Sequence, residues 1–154
     1  VEEFLTGAEL SVGIIGNTDN YIVLPVIEED YSELPEGLPK ICGYEAKWLT
    51  DSPYMKALKS IKASLPAQTE QDIVNHSLKL FERLDTRDYC RFDWRLNANG
   101  DPKILEVNPN PGWCWDGHLA KMSSIGGIDY SKMLELILNA TELRYNPVSG
   151  SPAQ

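Results

Sequence analysis

Arg91, Asp93, Glu106 and Asn108 are the residues whose types and spacing most directly imply chemistry. Segments 89–96 and 103–107 alternate apolar with polar side chains around Asn97-Ala98-Asn99-Gly100-Asp101-Pro102, a strong turn composition, so they should pair as a hairpin. A turn that pairs Asn97 with Pro102 sets Arg95 opposite Ile104, Asp93 opposite Glu106 and Arg91 opposite Asn108, all on one face. Phe92, Trp94, Leu96, Leu105 and Val107 then form a continuous apolar set on the other face.

Two carboxylates opposed across a pair of strands repel unless a cation lies between them. Asp93, Glu106 and Asn108 offer oxygen ligands, the hard set that suits Mg²⁺ and leaves places for water and phosphate oxygens. Arg91, on the same face, could hold a phosphate bidentately. A solvated face on which Arg91 and Arg95 neutralise the acids fits the same spacing.

The elements that must position this face are read from periodicity. Segments 1–5, 10–15 and 21–27 are rich in β-branched and aromatic residues, and a turn composition at 16–20 joins the second and third as a hairpin. Segment 28–66 carries Pro35, Pro39, Pro53 and Pro66, so little regular structure is expected beyond short pieces around Cys42 and 54–61. A loop of that length is usually functional. Thr69 is expected to cap a helix reaching about Leu84, with Ile73, Val74, Leu78, Phe81 and Leu84 on one face and Asp72 completing a capping-box-like start. A short helix over 118–124 should end at Gly126-Gly127, and a last helix should start from Asp129. Hairpins alternating with helices imply an α+β class, a mainly antiparallel sheet with helices on one face. The expected division is one domain over 1–145 and a frayed tail over 146–154.

Composition narrows the partners. The 154 residues are 42% hydrophobic, enough for one globular core. No apolar run is long enough to span a bilayer. The net charge of −9, with Lys and Arg scattered, argues against a nucleic-acid partner. Cys42, Cys90 and Cys114 are odd in number and far apart, which favours free thiols in a reducing cytoplasm over a disulfide framework. Val1 opens directly in an apolar run without an initiator Met or a leader, from which the sequence is expected to begin inside a larger fold.

Arg91-Phe92-Asp93-Trp94-Arg95 followed by Ile104-Leu105-Glu106-Val107-Asn108-Pro109-Asn110-Pro111-Gly112 resembles the R-x-D and L-E-x-N-x-x-P-G pair of the ATP-grasp enzymes, particularly D-alanine–D-alanine ligases. The resemblance extends to Val1-Glu2-Glu3-Phe4-Leu5-x-Gly-x-Glu9, similar to the family's adenine hinge and ribose contact. Leu24-Pro25 and Tyr44-Glu45-Ala46-Lys47-Trp48-Leu49 follow in the family's order, so nearly the whole chain is covered.

The resemblance implies the C-terminal ATP-grasp subdomain of a carboxylate–amine ligase, which forms an amide through an acyl phosphate. It implies ATP and two Mg²⁺ ions (Mn²⁺ being an alternative) as cofactors, with a small-molecule carboxylate and amine as substrates. Asp93, Glu106 and Asn108 look like the metal ligands, Arg91 like the residue that stabilises the acyl-phosphate and tetrahedral intermediates, and Gly112 like an oxyanion contact. Glu2, Phe4 and Leu5 look like adenine contacts, Glu9 like the ribose acceptor, and Lys47 like a phosphate contact from a mobile loop. Taken singly, a strand Glu or a loop Lys is ordinarily just solvated, and Gly112 is a turn glycine.

None of the 154 residues resembles the family's N-terminal substrate domain or its lid, so the resemblance implies missing domains and a half-site inactive alone. The family's D-alanyl-D-alanine-forming members carry small hydroxylated residues after the oxyanion glycine. Here stand Trp113-Cys114-Trp115-Asp116-Gly117-His118, which put a D-alanine acceptor in doubt and suit a bulkier or cationic amine. Core packing is the plain alternative for the two indoles, and a satisfied helix-start residue for His118. Two other functional readings remain: a non-catalytic ATP-grasp-like domain that binds nucleotide or metal, and a simple divalent-cation module.

Overall fold

The computed structural model describes residues 3–18, 20–43, 45, 49 and 51–146. The elements run β1 (Glu9–Asn17), β2 (Asn20–Val23), β3 (Ile27–Asp30), α1 (Pro53–Ala57), β4 (Lys59–Lys62), α2 (Ala67–Arg83), β5 (Tyr89–Leu96), β6 (Pro102–Asn108), α3 (His118–Ile125) and α4 (Tyr130–Tyr145). The strands form one sheet of order β4-β3-β1-β5-β6, with β2 also paired to β1, and every pairing is antiparallel. The α+β class therefore holds.

The helices, however, lie on both faces of the sheet. Leu10, Val12 and Ile14 of β1 join Cys90, Phe92 and Trp94 of β5 and Ile73 and Phe81 of α2 in one core cluster. Ile15, of opposite parity on β1, joins Leu24, Ile27, Leu119 and Met122 of α3, and Met133 and Ile137 of α4 in a second. The second layer is hard to read because β1 meets α3 at a glycine. A Cβ at Gly13 would stand 2.8 Å from Leu119 Cδ2 and 3.3 Å from Met122 Cε, so the missing side chain is what lets the helix approach.

Four local expectations change. The strand placed at 1–5 is not formed over the described residues 3–8. Instead Gly7 N–H donates to Leu96 O (2.9 Å) and Leu96 N–H to Ala8 O (3.0 Å), which lays this segment beside the end of β5. The strand at 21–27 is two strands, β2 and β3, parted at Pro25, which has no N–H to give a ladder. Within 28–66, Lys59–Lys62 forms β4 against β3, an edge strand concealed by its charges. Finally α2 begins at Ala67 after Pro66 with no side-chain cap, so Thr69 lies inside the first turn. Proline before the helix fixes the entry upstream of the hydroxyl that was expected to cap it. Asp129 does cap α4, its carboxylate accepting from Lys132 N–H (2.8 Å).

Candidate functional site

The β5–β6 hairpin opposes Asp93 to Glu106 and Arg91 to Asn108, as the spacing predicts, but through a different ladder. Asn97 Oδ1 accepts from Asn99 N–H and Asp101 N–H, both at 2.9 Å, and Asn97 N–H donates to Asp101 O at 3.0 Å. Gly100, at φ 84°, permits that closure. Leu96 rather than Asn97 therefore pairs with Pro102, and Arg95 pairs with Lys103 rather than Ile104. An irregularity after Asp93 leaves Leu105 as the extra residue of β6 and restores the expected register beyond it. Leu105 is accordingly 52% exposed rather than part of the apolar face.

Arg91 and Asp93 are joined in a fork, Nε to Oδ1 and Nη2 to Oδ2, each 2.8 Å. Ser11 Oγ of β1, directly across the ladder, donates to the same Oδ1 at 2.7 Å. Burial opposes the charge on Arg91, yet the hydrogen bonds and attraction of Asp93, with Glu106 behind it, hold the guanidinium above its ordinary range. Glu106, on the edge strand, is exposed, and among the described residues its carboxylate takes no hydrogen bond. Asn108 Oδ1 accepts from Asn110 N–H at 3.0 Å. A hydrogen-bonded arginine thus neutralises Asp93, whereas Glu106 has only the longer-range attraction of Arg91.

Among the described residues no three His, Cys, Asp or Glu side chains converge on a metal position. The available set is two carboxylates and one amide oxygen. That chemistry fits Mg²⁺, which keeps waters and commonly binds through one or two carboxylates together with substrate phosphates. It does not fit a dedicated all-protein cage.

One row along the sheet, Glu9 pairs with Arg95 across β1 and β5. Its Oε2 accepts from Tyr31 OH (2.7 Å), Arg95 Nη1 (3.1 Å) and Cys42 N–H (3.3 Å), while Arg95 Nη2 donates to Lys40 O (2.7 Å). Burial, then the bond to Glu9, pushes the Tyr31 phenol well above its usual range. Glu9 therefore shares the face with Ser11 and Asp93, with Oε2 already engaged. Phe4 is 74% exposed and Leu5 half-buried. Glu2 and Lys47 lie outside the described residues. A Cβ on Gly112 would meet only Cys114 Sγ, at 3.6 Å, so local space does not demand glycine there.

The loop 109–117 leaves edge strand β6 and ends at His118, whose Nε2 lies 3.0 Å from Glu29 Oε1 on β3. It therefore crosses the face that carries Arg91 and Asp93. On the way, Asn110 Oδ1 accepts from Tyr89 OH (2.6 Å), Trp113 packs edge-on to Tyr89 (5.6 Å), and Trp113 O accepts from Tyr130 OH (2.6 Å). Trp113 is 44% and Trp115 76% exposed, so neither is a core residue. Burial alone would raise the Glu29 carboxyl, but His118, Ser60 and Lys121 hold it below the usual carboxylate range.

Ser11, Tyr31, Glu29 and Arg95 belong to this site and were not singled out by sequence as functional. Parity with Asp93 across the β1–β5 ladder is the signal that finds Ser11. The same ladder finds Arg95 opposite Glu9, whereas Tyr31 and Glu29 depend on where the chain beyond the ladder is placed, which periodicity does not encode.

The family model described as D-ala D-ala ligase C-terminus matches residues 1–139. The uncharacterised protein y4sG of Sinorhizobium fredii is 30% identical over 145 residues, covering 94% of this chain and 41% of that protein. A D-alanine–D-alanine ligase of Acetivibrio thermocellus is 28% identical over 147 residues, covering 95% of this chain and 36% of that one. In structure, the Bacillus anthracis D-alanine–D-alanine ligase complexed with ATP aligns with a TM-score of 0.67 at 22% identity, covering 96% of this chain and 41% of that one. The chain thus spans well under half the length of these relatives. With nine-tenths of its residues accounted for by that one model, this chain belongs to the D-ala D-ala ligase C-terminus family.

Proposed function

We propose that this chain supplies the Mg²⁺–nucleotide half of the active site of an ATP-dependent carboxylate–amine ligase. The observation that carries the reading is the apposition of Asp93 and Glu106 in adjacent strands, with Arg91 and Asn108 paired beside them on the same face. Two Mg²⁺ ions bound there would neutralise phosphate charge, with Asp93, Glu106 and Asn108 as ligands. Arg91 then faces the transferring phosphoryl group and the tetrahedral intermediate, and the Gly112 N–H supports the developing oxyanion. Phe4 and Leu5, with Glu2, line the adenine edge. Glu9, fixed through Oε2 by Tyr31 and Arg95, offers its other oxygen to the ribose, and Lys47 reaches the phosphates.

In this reading ATP phosphorylates a small carboxylate, an amine displaces phosphate from the acyl phosphate, and an amide forms with release of ADP and phosphate. ATP as the nucleotide is supported by the ATP complex of the Bacillus anthracis ligase. Trp113 and Trp115, both partly or largely exposed on the crossing loop, favour a bulkier or cationic amine over D-alanine. Residues 1–145 act as one domain in this scheme, with 146–154 outside it and the rest of the site supplied by the additional length seen in the relatives. No helix among the described residues is long and apolar enough to cross a membrane. Cysteines that form no disulfide among the described residues, together with the use of ATP, favour the cytoplasm as the compartment.

One observation favours a second reading, a non-catalytic ATP-grasp-like nucleotide-binding domain: Arg91 is engaged by Asp93 through Nε and Nη2 rather than held open for an intermediate. Calorimetric titration of Mg²⁺–ADP separates these readings. Binding that falls at least about tenfold in Glu106→Gln is expected. No binding to the unaltered protein would sink both nucleotide readings. Ca²⁺ binding without nucleotide would point to a plain cation module. Formation of an amide together with release of ADP and phosphate, on adding ATP, a carboxylate and an amine to the full-length protein, distinguishes ligation from binding alone.

A further inference from the structure

The side chains that the proposed reaction leaves unused include a connected set linking three elements. Glu29 of β3 is 6% exposed and accepts from Ser60 Oγ of β4 at 2.9 and 3.1 Å. Its Oε1 also meets His118 Nε2 at 3.0 Å. Lys121, one turn further along α3, places Nζ 3.5 Å from Ser60 Oγ. A carboxylate this buried is retained only where its lone pairs are met, and here they are met by a strand on one side and a helix on the other.

We propose that Glu29 and His118 are a positioning pair that fixes the far end of the 109–117 loop over the Asp93–Glu106 face. The loop starts at the sheet edge with Asn108, a proposed metal ligand, and carries Gly112. It therefore needs an anchor at each end to hold Gly112 at one height above the sheet. At the near end, Asn108 is held by the β6 ladder and Asn110 by Tyr89. At the far end, Gly117 gives α3 no side-chain cap, so the helix start has no local anchor of its own. His118, the first helical residue, supplies one by reaching down to Glu29, while Leu119 packs close over Gly13. Gly117 N–H to Cys114 O (3.0 Å) passes that restraint back into the loop. The inference that this arrangement serves catalysis rests on the ligase reading; the restraint itself does not.

Amide hydrogen exchange on the 154-residue chain tests it. The amides of Gly117 and Lys121, hydrogen-bonded to Cys114 O and Gly117 O, report the anchor, and those of α2 are the internal control. His118→Ala should speed exchange at Gly117 and Lys121 about tenfold, the scale of one lost charge-assisted hydrogen bond, and leave α2 unchanged. His118→Gln, which keeps a donor near the Nε2 position, should restore most of the protection. Glu29→Gln is the second variant and should show a smaller acceleration confined to the same amides. Unchanged exchange at Gly117 in both His118→Ala and Glu29→Gln would overturn the proposal, as would acceleration shared equally by α2, or His118→Gln behaving like alanine. Mg²⁺–ADP titration of the unaltered chain is run alongside. Absence of binding there counts against the ligase reading, whereas the exchange pattern alone decides the positioning pair.

Discussion

Arg91 and Asp93, two residues apart on one strand, close a two-pronged ion pair whose carboxylate also receives the Ser11 hydroxyl. Both side chains are largely buried, 13% and 17% exposed. The acid across the ladder, Glu106, is exposed and takes no hydrogen bond among the described residues. The two carboxylates that spacing treats as equivalent therefore carry different energetic burdens.

In metal-free buffer they should respond in opposite directions. Glu106→Gln removes a like charge opposite Asp93 and should leave stability within about 0.5 kcal/mol or raise it slightly. Asp93→Asn strands a largely buried guanidinium and should cost about 2 kcal/mol. Urea unfolding in EDTA measures both. Equal losses would show that Glu106 is also a structural partner of the arginines. Adding Mg²⁺–ADP should stabilise the unaltered protein more than either variant, because ligand that binds only the folded state shifts the transition by mass action.

Gly7→Ala should act on the nucleotide edge alone. A Cβ there would lie 2.6 Å from Leu96 Cβ and 2.7 Å from Leu96 O. Backbone cannot yield as a side-chain tip can, so segment 3–8 must part from β5 and break its two hydrogen bonds to Leu96. Nucleotide affinity should fall about tenfold or more while the thermal midpoint moves little, since the segment contributes few core contacts. Unaltered affinity would remove this segment from the binding site.

The chemistry was more legible in the sequence than its supports. Alternation along β5 and β6 brought Arg91, Asp93, Glu106 and Asn108 together because a two-residue period is a local property of the chain. The register was reached although the turn closes one residue earlier than its composition indicated. The Leu105 bulge cancels that difference before Asp93 is reached, and side-chain pattern alone does not reveal such a cancellation. Helices on both faces are not legible in the alternation of β1, because Ser11 and Gly13 put no large apolar side chain on the face that α3 covers. Gly13 is instead the clearance beneath α3, and Ser11 is buried against Asp93. Glu29 and His118 are 89 positions apart. Only the path of the 109–117 loop across the sheet makes them neighbours.

Acid should expose a second anchor far from the site. Asp88, at φ 68°, accepts from Arg144 Nε (3.0 Å) and Nη2 (2.6 Å) and from Asn17 Nδ2 (2.9 Å), tying the end of α4 to the start of β5. The Arg144 hydrogen bonds are the main cause holding its carboxyl below the ordinary aspartate range. A carboxylate lowered in the folded state contributes fully above the unfolded value of about 3.9 and loses that contribution as pH falls through the folded value. Stability should therefore decline below about pH 4, and Asp88→Asn should flatten that part of the curve. Asparagine tolerates the left-handed backbone, so the variant isolates the charge. An acid limb of unchanged slope in Asp88→Asn would assign the decline to other groups.

Gly13→Ala tests the second helical layer directly. The added Cβ would stand 2.8 Å from Leu119 Cδ2, 2.9 Å from Leu24 Cδ1 and 3.3 Å from Met122 Cε. These are side-chain tips, so the strand can stay in register while α3 is pushed outward. Overpacking of this kind typically costs about 1–3 kcal/mol. The displacement should fall on the helix that begins at His118, so protection at Gly117 and Lys121 should drop more than protection in α2, which packs on the opposite face. Loss spread evenly over both layers would mean that the two cores respond as one unit and that the approach of α3 to β1 is not set at Gly13.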